Sequence, residues 1–243
     1  MKTVIVTGAS SGIGFSIAEA YLKRGYNVVG NARTLDRLQT AAAKLGNPSN
    51  FLPVAGDIAE PATAKALFER AIAAYGKVDI LINNAGIFVA KPIADYSQAD
   101  VEGIVSTNLM GFFYPSQEAA KHMSANQQGH IVTITASLAM QPTSKVPALL
   151  PILIKGGLNH ATRGLALELA GANVKVNAVA PGIIRTPMHG TDEGTQSFLK
   201  GLSPSGEMGS TQDIVDAVLY LTESSFTSGV VLPVDGGATA GTW

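Results

Sequence analysis

The sequence predicts a doubly wound α/β domain: one sheet of seven mostly parallel strands with helices on both faces. Three observations carry this. Short β-branched runs alternate with longer runs whose apolar residues recur at helical spacing, from one end of the chain to the other. Apolar residues make up 46% of the 243 and charged residues only 14%, which suits strands buried on both faces. The 26 glycines exceed the usual ~7% and signal many tight turns or close backbone approaches.

The predicted strands are "TVIVT" (3–7), "NVVG" (27–30), "FLPVA" (51–55), "VDILIN" (78–83), "HIVTIT" (130–135), "VKVNAVA" (174–180) and "GVVLPV" (229–234). Between them "GFSIAEAYLKRG", "TLDRLQTAAAKLG", "PATAKALFERAIAAYG", "STNLMGFFYPSQEAAKHMSA", "LIKGGLNHATRGLALELA" and "TQDIVDAVLYLTES" read as helices. No linker, repeat or low-complexity tract divides the chain, so residues 1–243 are expected to form one domain. The least regular stretch, about 187–210, is polar and rich in glycine and serine, and is expected to be a flexible flap over the substrate.

Composition also excludes. The formal charge is −1 with no basic run, which argues against a nucleic-acid groove or an anionic membrane surface. Absence of cysteine removes disulfides, thiolate catalysis and Cys-type zinc sites, and no metal is expected. No apolar run reaches the ~20 residues of a membrane span. The opening "MKTVIVTGASSGIG" turns into glycines rather than a cleavage site, so it reads as a first strand. A soluble cytoplasmic protein acting on a small molecule is the expectation.

Gly8, Gly12 and Gly14 fall at the turn between the first strand and the first helix. Glycines there let the backbone approach a pyrophosphate at a helix N-terminus, although backbone turning alone also uses them. Their spacing is G-x-x-x-G-x-G, not the G-x-G-x-x-G of other dinucleotide folds. After the second strand comes Arg33, with no carboxylate between Val28 and Leu35 to take a ribose 2′-hydroxyl. An arginine can fork onto a 2′-phosphate, so NADP(H) is expected over NAD(H); a solvated arginine is the plain alternative. Asp57, beside Ile58 after the third strand, either accepts from an adenine amino group or caps the next helix.

At this point the chain resembles the short-chain dehydrogenase/reductase family along its whole length. "TGASSGIG", including Ser10, Ser11 and Ile13, is similar to the family's cofactor turn. "NNAG" (83–86) resembles its fourth-strand signature, which places Asn84, Ala85 and Gly86 near the adenosine. "STNLMG" supplies Asn108 where the family keeps its structural and catalytic asparagine. "VNAVAPGIIRTPM" resembles the stretch whose Pro181, Gly182, Ile184 and Thr186 border the nicotinamide, and "SGVVLPVDGG" resembles the last strand. The resemblance implies a single-domain Rossmann-type fold, a nicotinamide dinucleotide and a homotetramer or homodimer. The small and apolar face of "GGLNHATRGLALELA" suits such packing.

The resemblance also implies a catalytic set. A lysine holds the nicotinamide ribose, a tyrosine four residues earlier exchanges the proton, a serine binds the substrate oxygen and the asparagine holds a water relay. Lys155 and Asn108 match, but the tyrosine position is Pro151. No tyrosine lies between 115 and 219, so a shifted motif is excluded. Tyr114 follows Asn108 by six residues, about 120° away on an α-helix turning ~100° per residue. The serine is either Ser137 by the local pattern "TAS", or replaced by Ala136 by counting along the fifth strand. Successive residues leaving a strand point opposite ways, so a local bulge would be needed to aim Ser137.

Proline is tolerated in a first helical turn and costs ~3 kcal/mol deeper in, so the helix carrying Lys155 is expected to begin near residue 150. Candidate replacement donors are Lys155 itself, Ser137, Ser144 and water relayed through Asn108. Of the histidines, His122, His130 and His160 read as packing or surface residues, while His189 in the flap can reach toward a substrate. The flap's Met188, Phe198 and Leu199 suggest a partly apolar substrate. Two functions fit: an NADP(H) oxidoreductase with an altered acid, suited to iminium or activated carbonyl substrates, or a dinucleotide binder without turnover.

Overall fold

The computed structural model describes residues 1–187, 189 and 192–241. Seven strands form one sheet: β1 (Thr3–Thr7), β2 (Asn27–Ala32), β3 (Phe51–Ala55), β4 (Ile80–Asn83), β5 (Gly129–Ile134), β6 (Val174–Pro181) and β7 (Val231–Val234). Their order is β3-β2-β1-β4-β5-β6-β7. Every pairing is parallel, so the expectation of a mostly parallel sheet sharpens to a wholly parallel one. A parallel sheet must be covered on both faces, and β1, β2 and β4 are buried along their full length.

The helices are α1 (Gly12–Lys23), α2 (Leu35–Lys44), α3 (Pro61–Tyr75), α4 (Gln98–Ile104), α5 (Gly111–Asn126), α6 (Leu149–Glu168), α7 (Glu193–Lys200) and α8 (Thr211–Glu223). One core lies between the sheet and α1, α2 and α8, where Ile17, Tyr21, Leu38, Ile214 and Val218 meet Val4, Val6 and Ile82. The opposite core joins α3, α5 and α6 to the sheet through Leu67, Phe68, Met123, Leu81 and Ile131. Each such side chain stabilises the fold by about 1.5–3 kcal/mol when fully buried.

Two helix starts shape the site. Residues Val105–Met110 form a π turn that joins α4 to α5. Pro115, which has no N–H to give, follows where the ordinary i→i+4 ladder is already broken. The angle drawn above between Asn108 and Tyr114 assumed a regular α-helix and does not survive this turn. The α6 start is as expected: Leu149 is its first residue, Pro151 its third, and the first α6 bond runs from Ile152 N to Ala148 O at 3.0 Å. A missing N–H at the third position removes nothing the helix uses.

The segment 187–210 is not irregular throughout. It contains α7, capped by Asp192, whose carboxylate accepts from Thr195 N at 2.8 Å. Its C-terminal end is tied to the β6 exit by a bridge of Ile184 to Gly209, with Arg185 N donating to Gly209 O at 2.8 Å. Leu199 is buried in the fold, whereas Phe198 is exposed. Met188 lies outside the described residues.

Candidate active site

The strand order reverses between β1 and β4, and an open parallel sheet leaves a crevice at the carboxyl end of such a switch point. The predicted residues gather along that edge. Gly8–Gly14 leaves β1, Arg33 leaves β2, Asp57 and Ile58 leave β3, Asn84–Gly86 leaves β4, Ser137 follows β5, and Pro181–Thr186 leaves β6.

The first turn is fixed by crowding. Gly8 and Gly12 have positive φ, +68° and +56°. A Cβ on Gly14 would stand 2.4 Å from both Asn84 Nδ2 and Gly8 O. Asn84 locks the arrangement by donating from Nδ2 to Thr7 O at 2.9 Å. Thr7 Oγ1 in turn accepts from the backbone N–H of Asn84 and of Ala85, each at 3.0 Å. Sequence reasoning missed Thr7, because a threonine closing a strand gives no signal until the fourth strand is known to lie beside it.

At the head of α1, Ser11 is the N-cap but its side chain accepts no capping bond, and the first turn holds no acidic residue. The opening amides of Gly12, Ile13 and Gly14 are therefore left facing outward at the positive end of the helix, as an anion site requires. A Cβ on Gly12 would lie 3.6 Å from Thr186, so the phosphate turn and the β6 exit border one space. These features fit a dinucleotide.

The second and third strand exits are more open. Ala9 N donates to Asn31 O at 2.9 Å, joining the glycine turn to β2 just before Arg33. Arg33 is exposed, and no ion pair among the described residues engages it. Asp57 accepts from Ala59 N at 2.9 Å and so closes its own turn; α3 is started instead by Glu60 and Pro61. The side chain of Ile58 is buried, and a Cβ on Gly111 would meet it at 2.9 Å, leaving Ile58 only its backbone for a ligand.

The far half centres on Lys155. Its Nζ donates to Ile134 O at 2.8 Å. A Cβ on Gly86 would stand 3.4 Å from Lys155 Nζ and 3.2 Å from Asn108 Oδ1, so the three residues converge on one point. Asn108 is held at both polar atoms: Oδ1 accepts from Ile87 N at 2.8 Å and Nδ2 donates to Ile87 O at 2.9 Å. Burial lowers the Lys155 ammonium to about 8, with no neighbouring charge contributing. Pro151 is buried one turn earlier on α6.

Ser137 is buried and opens a 3₁₀ turn, Ser137–Ala139, that packs on α6. The chain is extended at Ala136 (φ −162°, ψ 139°) and coils from Ser137 on, so strand alternation does not decide which of the two faces the site. Ser144 is exposed in the loop before α6. Tyr96 is occupied, donating to Val89 O at 2.8 Å, and the Tyr114 ring sits edge-on to Phe113. His122 accepts from Val78 N at 3.0 Å and His160 is exposed, as packing and surface residues would be. His130 is largely buried, and burial lowers it to about 4. His189 N bonds Thr186 O at 3.1 Å, which places this residue beside the β6 exit. Among the described residues no cluster of His, Cys, Asp or Glu could hold a metal, and no helix is long and apolar enough to cross a membrane.

Residues 2–196 match the short chain dehydrogenase family. The chain belongs to that family. It is similar to the (2S)-[(R)-hydroxy(phenyl)methyl]succinyl-CoA dehydrogenase subunit BbsD of Thauera aromatica, 33% identical with 97% of this chain and 96% of the relative covered. Among solved structures it is similar to ElxO with NADP bound, at 26% identity, TM-score 0.90 and 99% of each chain. A tyrosine-to-phenylalanine variant of ElxO, solved with NADPH bound, matches equally well. The 3-ketoacyl-(acyl-carrier-protein) reductase of Brucella melitensis, complexed with NADH, matches at 29% identity and TM-score 0.91 over 98% of each chain. The family relation makes this an oxidoreductase fold for small substrates and a nicotinamide dinucleotide.

Proposed function

We propose that the protein is an NADP(H)-dependent oxidoreductase that moves hydride to or from a small carbonyl, alcohol, imine or amine, with a proton donor other than tyrosine. The observation that carries this is the convergence of Lys155, Asn108 and Gly86 beside an uncapped helix start and glycine turn. The bound nicotinamide would supply or accept the hydride. The N-terminal amides of α1 would take its pyrophosphate, Arg33 a 2′-phosphate and Lys155 the nicotinamide ribose. Pro181, Gly182, Ile184 and Thr186 would border the ring, Asp57 and Ile58 the adenine, and Ser137 the substrate oxygen.

Pro151 stands where the family resemblance calls for the acid. Loss of general acid assistance reduces turnover by roughly 10²–10⁴-fold, which disfavours ordinary ketones. An iminium accepts hydride without forming an alkoxide, and activated carbonyls need less help, so these are the favoured substrate classes. The same proline supports a second reading, a dinucleotide-binding subunit without turnover.

A fluorescence titration with NADPH and with NADH tests the proposal. Tight NADPH binding is expected, weakened about tenfold or more in Arg33→Ala, with NADH binding unchanged by that substitution. Binding of neither cofactor would sink the proposal. NADPH binding without consumption across imines and activated carbonyls would favour the subunit reading. We infer a homodimer or homotetramer from the exposed leucines of α6, Leu149, Leu153 and Leu167, and Phe113 of α5.

A further inference from the structure

We propose that Lys155 is itself the acid–base group of this site, giving a proton to the substrate oxygen in reduction and taking one back in oxidation. The inference rests on the reading of the site as a hydride-transfer centre.

Geometry singles the amine out. Of its three N–H bonds as an ammonium, one is committed to Ile134 O. One of the other two would take the nicotinamide ribose, and the third is left to address the space beside Gly86 and Asn108, where a Cβ added at Gly86 would be 3.4 Å from Nζ. No carboxylate among the described residues pairs with it. Asn108 cannot compete, because its amide is not an acid and both its polar atoms hold Ile87. One turn back on α6, Pro151 has no proton to offer. Tyr96 is tied to Val89 O and Ser144 faces solvent.

The electrostatic setting is equally plain. Lys155 reaches β5 through Ile134 O, and the elements packed on α6 are β6, the 3₁₀ turn Ser137–Ala139, the π turn, the 3₁₀ turn Ala170–Ala172 and α4. The three turns carry no titratable side chain, β5 carries only His130 at its far end, and Lys175 of β6 donates to Asn173 Oδ1 at 2.9 Å. On α4, Asp100 pairs with Lys91 and Glu102 with Gln98. On α6 itself, His160, Arg163 and Glu168 are exposed. Desolvation alone therefore acts, and it brings the ammonium to about 8, within reach of exchange at neutral pH, where an ordinary lysine near ~10.4 is a poor acid.

The step balances. A bound reduced nicotinamide would supply the hydride to the carbonyl carbon, leaving the C=O π pair on oxygen to be protonated. An Nζ–H bond of Lys155 breaks as the O–H bond forms. The neutral amine then regains its proton from water.

Two measurements test this, one without cofactor or turnover. Trace acetylation by acetic anhydride, read by peptide mass spectrometry across pH with exposed Lys65 as the internal reference, should show Lys155 reacting with a midpoint near pH 8. A midpoint at or above that of Lys65 overturns the proposal. Next is the pH dependence of kcat for reduction of ethyl pyruvate by NADPH, expected to fall tenfold per unit above about pH 8. Lys155→Arg keeps the charge but not the exchangeable proton, so kcat should fall at least 100-fold while NADPH binding, read by fluorescence, changes less than tenfold. An inflection near the ordinary histidine value, removed by His189→Gln, assigns the proton to the imidazole and overturns the role of Lys155. Failure of the wild type to bind NADPH sinks the site reading itself, which separates that failure from this one.

Discussion

The glycine turn and the lysine cradle lie along one edge of the sheet but are held by opposite means. At the turn, backbone meets backbone: Gly8, Gly14 and Asn84 approach so closely that a single methyl would collide at 2.4–2.8 Å. At the cradle, long side chains from distant elements reach to one point, Lys155 across to Ile134 O and Asn108 across to Ile87. Crowding fixes residue identity; reach fixes only residue type. The first region therefore has little freedom to change, whereas the second, held by reach rather than contact, has more.

Gly14→Ala should break that contrast most severely. Overpacking of this kind costs about 1–3 kcal/mol, and here the obstructing atom is a backbone carbonyl, which cannot swing aside. Urea unfolding should show the loss and NADPH titration a collapse of binding. Gly157→Ala is the control, since nothing lies within 4 Å of the added carbon and alanine favours the helix by up to ~1 kcal/mol. Equal destabilisation by both changes would mean that crowding is not what fixes the turn.

A smaller effect arises at the opposite end of the sheet, away from both regions. His130 is lowered to about 4 by burial, so between roughly pH 6.5 and 4 the unfolded chain binds the proton more readily than the folded one. Stability should therefore fall as pH drops through that window, by about 2 kcal/mol once the ring's partial solvent contact is discounted. Thermal unfolding at pH 7 and pH 4.5 checks this, and His130→Leu should flatten the difference. An unchanged slope in that variant would place the acid sensitivity elsewhere.

The smallest effect on the folded chain is expected from Leu153→Asp with Leu167→Asp, because both side chains are exposed, at 66% and 81%. Surface changes of this kind stay within about 0.5 kcal/mol for the isolated subunit. Sedimentation should nonetheless show the assembly falling to single subunits. A wild-type protein that already sediments as a monomer would overturn the oligomer proposal.

Lys155 and Asn108 were named through the family resemblance; by itself the sequence determined the alternation of strands and helices and the glycines of the first turn. These are legible because burial on both sheet faces and positive φ restrict residue choice locally, whatever lies across the fold. The tolerance of Pro151 was legible for the same reason, since the first turn of a helix leaves its N–H groups unused. Tertiary structure alone decided what each side chain does there. Thr7 organises the β4 exit, Asp57 closes its own turn, Ile58 and Leu199 turn inward, and the π turn rather than an α-helix carries Asn108. Apart from the Asp57 turn, which closes on Ala59, these depend on partners far along the chain, such as Asn84 for Thr7 or Ile87 for Asn108. Desolvation of the lysine belongs to the same class. It is a property of everything packed around the amine, and no single residue in the chain encodes it.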